Sequence, residues 1–317
     1  VNMVSKRPTD APLREAELSV GSDRSVSAGF DISDRVNDTV GYRVAITGSR
    51  DRFLGGLRGN PGQRSAPYNT SRDGAVISCQ MIFKALTDPA LFASEGSFRP
   101  LEVVTEPGTI FHAEGNAPHG YYFETRIRLY DMMWRCMAQA LPERLPAGHF
   151  ASICGTVIAG DHPDTGRRFT MVEPQMGGWG ATSARDGLDA MYSASHGETF
   201  NCPVEICETR YGLDVGYRRL SESDAGKGLH SGGKGLEISY RLRGPAVMSV
   251  GYSRAKQPVW GSAGGEPGGV NGVSVRRPDG RADRLTFASG VSLGPGDEIV
   301  IPPANGGGWG AAPHDRA

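Results

Sequence analysis

The chain has 317 residues, 34 of them basic and 35 acidic, with a formal net charge of −1 and hydrophobic residues at 38%. That is enough for one large domain or two ordinary ones with a real core. The balanced charge, without a basic stripe, argues against a nucleic-acid partner, and no apolar run reaches the roughly 18 residues that a bilayer-spanning helix needs.

Residues 14–34 hold two candidate edge strands, and residues 41–48 alternate cleanly as a third strand. Residues 51–57 return as its hairpin partner. Residues 58–69 are a long loop rich in turn formers. Ser71 or Asp73 caps a helix whose apolar face runs through Ile77, Met81, Ile82, Ala85 and Leu86 and which Pro89 ends. A strand follows over 98–105, then a turn at Glu106-Pro-Gly108. The clearest helix spans 123–141, with Ile127, Tyr130, Trp134, Met137 and Leu141 three or four apart, and Pro142 ends it. Residues 150–158 read as a buried strand or close-packed segment, and 168–173 as a strand.

From about residue 203 helical periodicity gives way to short alternating segments at 204–209, 215–220, 236–242, 246–252, 272–275, 284–287 and 298–301. Regular short strands with Gly, Pro and Asp punctuation predict a sandwich or barrel. The expected fold class is therefore α+β: a mixed N-terminal part with two main helices over 1–202, then a β- and glycine-rich barrel- or sandwich-like part over 203–317.

Glycine, at 45 residues, is about twice its usual share of roughly 7% and has no period of three. The densest run is Glu173-Pro-Gln-Met-Gly-Gly-Trp-Gly180, continued to Asp186-Gly187 and followed by Asn201-Cys-Pro-Val-Glu205-Ile-Cys-Glu208. Ser231-Gly-Gly-Lys-Gly235 and Gly306-Gly-Gly-Trp-Gly310 echo it. Two readings stand for these runs. Their N–H groups form a nest for a carboxylate, phosphate or oxyanion, or the glycines pack as extended polyproline-II segments that need the small side chain. On the first reading Gly177, Gly178, Trp179, Gly180, Asn201 and Arg58 contact substrate, Asp186 orients a donor, Glu205 supplies a carboxylate acid or base, and His196, between the two strongest motifs, transfers a proton. On the second they are packing and surface residues. His112 and His119 flank Glu114, but no His-x-His or His-x3-His spacing supports a metal site, and none is assigned. Five widely spaced cysteines, an odd number, do not make a disulfide framework. With an N-terminus lacking a secretion signal's apolar core, they lead to the expectation of a reduced, cytoplasmic protein.

In this order the motifs resemble the hydantoinase B/5-oxoprolinase family, the B-type subunits of hydantoinases and of acetone and acetophenone carboxylases. The matching pieces are residues 59–69, Phe98-Arg-Pro-Leu-Glu-Val with Pro107-Gly108, the 177–187 and 201–208 blocks, Ser231–Gly235, and Gly296-Asp297 with 306–310. The resemblance runs from about residue 13 to 316 and corresponds to the C-terminal half of the family's B-type chains. Departures are Leu54-Gly-Gly-Leu57, where the family has Asp-Phe before its first glycine motif, and Ser223-Asp-Ala-Gly-Lys-Gly228 in place of Asp-Ser-Gly-Gly-Ala-Gly. The resemblance implies a component of an ATP-dependent cyclic-amide hydrolase or ketone carboxylase. It implies a separate ATP-binding hydantoinase A-type partner and a chain supplying the N-terminal half, with ATP and a divalent metal on those partners and no cofactor on this chain alone. A non-catalytic assembly component is the alternative. No Gly-x4-Gly-Lys-Ser/Thr loop is present in the sequence.

Overall fold

The computed structural model describes residues 13–20, 26–37, 40–48, 52–90, 92–194, 196–197 and 199–312. The chain divides into two compact units, Val1–Leu145 and Pro146–Ala317.

In the first unit, β1 (Leu13–Val20), β2 (Val26–Asn37), β3 (Val40–Gly48), β4 (Phe53–Gly56) and β5 (Leu101–Val104) form one sheet in chain order. Every pairing is antiparallel except β4–β5. That parallel pair needs a crossover, and α1 (Arg72–Thr87) lies within it. Ser71 Oγ accepts the Gly74 N–H at 3.2 Å, the N-cap that the sequence offers. The apolar face of α1 is rotated from the expected one: Ala75, Ser78, Cys79, Ile82, Phe83 and Leu86 are buried, whereas Ile77 is 45% exposed. A short helix with several apolar positions offers two overlapping stripes, and α1 buries the one that packs on α2 (Tyr122–Ala140). Ile127, Tyr130, Trp134 and Met137 of α2 are buried as their spacing predicts. The 58–69 loop is held by Asn69, whose Oδ1 accepts from Arg64 N at 2.8 Å and whose Nδ2 donates to the Arg64, Ala66 and Pro118 carbonyls.

The second unit contains two antiparallel sheets. One has the order β13 (Phe287–Leu293), β10 (Ala246–Gly251), β6 (Thr156–Asp161), β7 (Arg168–Glu173). The other has the order β12 (Ala282–Leu285), β11 (Val273–Arg276), β14 (Glu298–Ile301), β9 (Leu236–Leu242), β8 (Leu213–Leu220). Their apolar faces share one core, including Ile158, Met171 and Met248 from the first sheet and Ile238, Tyr240, Val275 and Ile299 from the second. This is the sandwich-like part, and neither sheet closes into a barrel. The expected change of character at 203 is not the boundary between units. Strand β6 pairs with β10 across some 90 residues of chain, so residues 146–202 belong to the C-terminal unit.

The strand expected at 204–209 is a helix, α3 (Val204–Tyr211). Local capping decides it: Pro203 sets the entry, and Gly212 ends it with φ 59°, a left-handed conformation that glycine adopts without strain.

Between and beyond the strands, residues 176–191, 223–235, 259–269 and 304–310 form a bundle of extended segments. These are not ladders, because each segment bonds to several neighbours. Gly306 N donates to Gly233 O (2.8 Å), Gly307 N to Gly148 O (3.0 Å), Gly308 N to Glu266 O (3.0 Å) and Trp309 N to His230 O (2.9 Å). A Cβ on Gly306, Gly307 or Gly308 would collide with the Trp179, Trp260 or Lys227 carbonyl respectively. Three successive residues thus face three neighbouring segments, as in a polyproline-II chain, which turns once every three residues and admits only glycine at a crowded axis. The packing reading of the glycine runs is the one realised.

Gly306→Ala places a methyl against buried backbone that cannot rotate away. Overpacking of this kind costs about 3 kcal/mol or more, whereas Gly294→Ala, with only Asp297 Oδ2 4.0 Å from the new carbon, shifts stability by less than about 0.5 kcal/mol. Thermal melts of the two variants check this contrast; equal melting temperatures would refute the bundle packing.

Candidate functional site

Strand β7 alternates outward and inward, so Phe169, Met171 and Glu173 share the buried face. Parity carries a carboxylate into the core, where it is 4% exposed. An unpaired carboxylate there is untenable, and the surrounding elements supply partners. Glu173 Oε1 accepts from Asn201 Nδ2 at 3.0 Å, from the Cys202 N–H at 2.8 Å and from Arg218 Nη2 at 3.5 Å. Its Oε2 accepts from the Tyr240 hydroxyl. Arg218, on β8, also donates through Nη1 to the Cys202 carbonyl at 2.6 Å. Burial works against the Arg218 charge, but Tyr240 and Glu173 outweigh it, leaving the guanidinium more firmly protonated than usual. Burial and the Glu173 charge push the Tyr240 hydroxyl well above its ordinary range. The same two causes, with Cys202 beside it, push the Cys207 thiol up to about 12, so it is a packed thiol and not a nucleophile.

A second cluster adjoins this one. Trp179 Nε1 donates to the Tyr192 carbonyl at 2.8 Å, and the Trp179 ring lies 5.4 Å from the ring of buried His149. His149 Nε2 is 3.3 Å from Ser193 Oγ. The Tyr192 ring lies 5.3 Å from that of His196. Burial, then the Glu173 charge, raises the Tyr192 pKa, with Arg218 opposing. Tyr192 Oη, His196 Nδ1, Asn201 Oδ1, Arg218 Nε and Gln175 Oε1 are buried and take no hydrogen bond within the described residues. Buried polar atoms in folded proteins are matched by protein, water or ligand. These atoms include both donors and acceptors, on residues of the two clusters.

The sequence-derived candidates separate accordingly. His196, Asn201 and Trp179 fall in these adjoining clusters. Gly177, Gly178 and Gly180 are buried beside them, but no nest forms. The N–H groups of Gly177, Gly178, Trp179 and Ala181 already donate to Met191, Ala304, Leu188 and Gly307, and bodies of chain fill the glycine faces. Asp186 is exposed, and its Oδ1 accepts from Ser231 N at 2.8 Å and lies 3.6 Å from His230 Nδ1, tying two glycine runs together. Glu205 is exposed in the first turn of α3, where its charge suits the helix dipole. Arg58 is exposed in a loop of the first unit. His112 Nδ1 pairs with Thr105 Oγ1 at 2.8 Å. Among the described residues no three His, Cys, Asp or Glu side chains group as a metal site. Sequence reasoning missed Glu173 as a centre, although the parity of residues 168–173 pointed to it. It also missed Tyr192, Arg218 and Tyr240, for which distance along the chain left no signal.

Two outcomes follow. Arg218→Met leaves a buried carboxylate without its cation and costs about 3 kcal/mol; in chemical denaturation, a loss below about 1 kcal/mol would show that Glu173 is satisfied without it. Burial holds the His196 pKa below its ordinary 6.5. The unfolded chain then binds the proton more readily, so this contribution is complete above pH 6.5 and fades as pH falls through the folded pKa. The stability difference between His196→Gln and the parent chain therefore shifts in the variant's favour on going from neutral to acidic pH; a pH-independent difference would exclude a buried neutral imidazole.

The Hydantoinase B/oxoprolinase family model matches residues 14–312. The chain is 29% identical over 255 residues to an uncharacterized protein of Methanocaldococcus jannaschii, covering 80% of this chain and 44% of that one. It is 27% identical over 187 residues to the B-type chain of a putative D-/L-hydantoinase of a Pseudomonas strain, covering 58% and 30%. It is 29% identical over 231 residues to the beta chain of the caprolactamase of Pseudomonas jessenii, covering 68% and 39%. It thus spans less than half the length of these relatives. Its fold superposes on the ATP-dependent caprolactamase of P. jessenii with a TM-score of 0.72 at 21% identity, covering 87% of this chain and 49% of that one. On nucleotide-free acetone carboxylase the TM-score is 0.68 at 14% identity, covering 92% and 46%. No described helix is long and apolar enough to cross a membrane. The motif order, the sandwich with its glycine bundle, and a family match over nearly the whole chain together show that this chain belongs to the hydantoinase B/oxoprolinase family.

Proposed function

We propose that this chain is part of the B-type component of an ATP-dependent enzyme complex acting on a small carbonyl substrate, a cyclic amide to be hydrolysed or a ketone to be carboxylated. The observation that carries this reading is the family match over residues 14–312, with relatives named as hydantoinase and caprolactamase subunits. ATP and its divalent metal are bound by a separate A-type chain, and the rest of the B-type component completes the chamber. The five cysteines, all free thiols, agree with a cytoplasmic setting.

Within the chain, the cluster around Tyr192 is the part suited to the substrate. A cyclic amide presents one N–H and one C=O, and Asn201 Oδ1, Arg218 Nε and Tyr192 Oη offer the complementary acceptor and donors. Trp179 forms the apolar wall. His196, neutral at pH 7, takes or gives a proton. Asp186 and Glu205 serve the fold, Asp186 by linking glycine runs and Glu205 at the start of α3. Amide hydrolysis is favoured over carboxylation because a site holding both acceptor and donors matches an amide, whereas a ketone carbonyl needs donors alone.

The test is turnover by the reconstituted complex, reading ATP hydrolysis with caprolactam, hydantoin, 5-oxoproline, or acetone plus bicarbonate. Tyr192→Phe and Asn201→Ala are expected to lower kcat/KM by tenfold or more, about 1.4 kcal/mol each, while Asp186→Ala and Glu205→Ala retain turnover in the folded complex. Parental turnover in both Tyr192→Phe and Asn201→Ala would instead identify a non-catalytic assembly component.

A further inference from the structure

We infer a second binding site, for a small, multiply charged oxyanion such as pyrophosphate or a phosphate ester, in the cleft between the β6–β7 hairpin and the C-terminal end of α3. It does not depend on the proposed activity. The cleft encloses about 370 Å³ and is lined by Arg167, Arg168 and Arg210 together with His162, Thr170 and Tyr211; no carboxylate lines it. None of the three arginines forms an ion pair among the described residues. The acid of the hairpin turn, Asp164, is held instead by Arg243, through Nη2 at 2.8 and 2.7 Å to its two oxygens. Asp161 stands opposite Arg168 in the ladder but is not part of the lining. Three arginines thus line one concavity with no carboxylate in its wall, and like charges on one wall make the binding of an anion there favourable.

The cleft is preformed. His162 is buried, its Nε2 donating to the Thr209 carbonyl at 3.0 Å and its Nδ1 accepting from Asp164 N at 3.2 Å. This fixes the tautomer and fastens the hairpin turn to the end of α3, and it also occupies a helix-terminal carbonyl that would otherwise repel an anion. The turn is closed by His162 N to Arg167 O and Gly166 N to His162 O, both 2.8 Å. Pro163 packs where a Cβ on Gly212 would sit, bringing the two walls together. Arg210 lies over the Tyr211 ring at 5.6 Å, and Tyr211 packs on Phe169 with centroids 6.0 Å apart, so the guanidinium is held without a salt bridge. Planar guanidinium forks match the oxygen edges of phosphate, and three of them favour a polyvalent anion over a monovalent one.

Calorimetric titration of the full chain with inorganic pyrophosphate at low ionic strength tests the site. One saturable binding event is expected, weakened about tenfold or more in Arg168→Gln/Arg210→Gln, and weakened by added salt. Arg276→Gln, an exposed arginine paired with Glu298, should bind as the parent does, and acetate should not compete. The side chains changed are exposed, and a thermal melt confirms that each variant is folded. Absence of saturable binding, equal affinity in the double variant, an equal loss in Arg276→Gln, or binding of an acidic peptide but not of pyrophosphate would each overturn the assignment.

Discussion

The C-terminal unit is organised by backbone that approaches backbone more closely than a Cβ permits. Residues 303–310 are buried throughout, yet they have few side chains with which to fill space or satisfy polar groups. Every buried N–H and C=O must still find a partner. The solution is rotational: successive amides at 306, 307 and 308 turn to different neighbours, and glycine removes the obstruction on each side. Where backbone registers leave a group over, two buried asparagines take its place. Asn271 accepts from Ala304 N and donates to the Phe150 and Ser253 carbonyls, and Asn305 accepts from Gly235 N and donates to the Ser223 and Asp224 carbonyls. The sandwich feeds this bundle directly, since β7 and β14 run into it and β9 leaves it.

That arrangement fixes the candidate site. Glu173 is the last residue of β7, and the first glycine of the bundle follows four residues later. The backbone that cannot shift at Gly177 and Gly178 therefore also holds the carboxylate. Trp179, inserted between close-packed glycines, suspends Tyr192 through its indole N–H. Tyr192 is thus held from the bundle, and Asn201 and Cys202 are held by Glu173. Burying Glu173 with Arg218 is not in itself a source of stability, because desolvation offsets the attraction. Its effect is on geometry: one carboxylate gathers β8, β9 and the segment leading into α3 around a single point.

Much of this architecture was legible in the sequence. Strand parity, the Ser71 cap and the 3.6-residue spacing of α2 are local signals, and the elements they predict are present. The motif order identified the family because it records spacing over the whole chain. Three kinds of feature were not legible in the hydrophobic pattern. The 204–211 segment alternates like a strand, and only Pro203 with Gly212 marks it as a helix. The glycine runs carry the same composition whether they cradle an anion or pack against one another, and only their partners decide. The site draws Glu173, Tyr192, Arg218 and Tyr240 from four separate segments, and nothing in a single sequence ties 173 to 240. Asp186 is an acid beside a glycine motif, which is where connections within a glycine bundle need acceptors, whereas Glu205 is an acid in the first turn of a helix.

Strand β7 and helix α3 connect the two sites described. They pack together, with Cys207 Sγ against Met171 Sδ at 3.9 Å between them. At one end stand Arg168 and Arg210; at the other stand Glu173 and Cys202. Five residues of strand separate Arg168 from Glu173, about 16 Å at the usual rise. Glu173 is already committed to Arg218, Tyr240, Asn201 and the Cys202 N–H, so its lone pairs are taken up at its own end of the strand. Met171 and Cys207 belong to the apolar core between the two ends, and a charged residue at either position would require partners that this core does not contain. The same pair of elements therefore carries both environments and couples them: burial and the Glu173 charge push the Cys202 thiol up, while Arg218 and then Arg210, from the cleft, act against them.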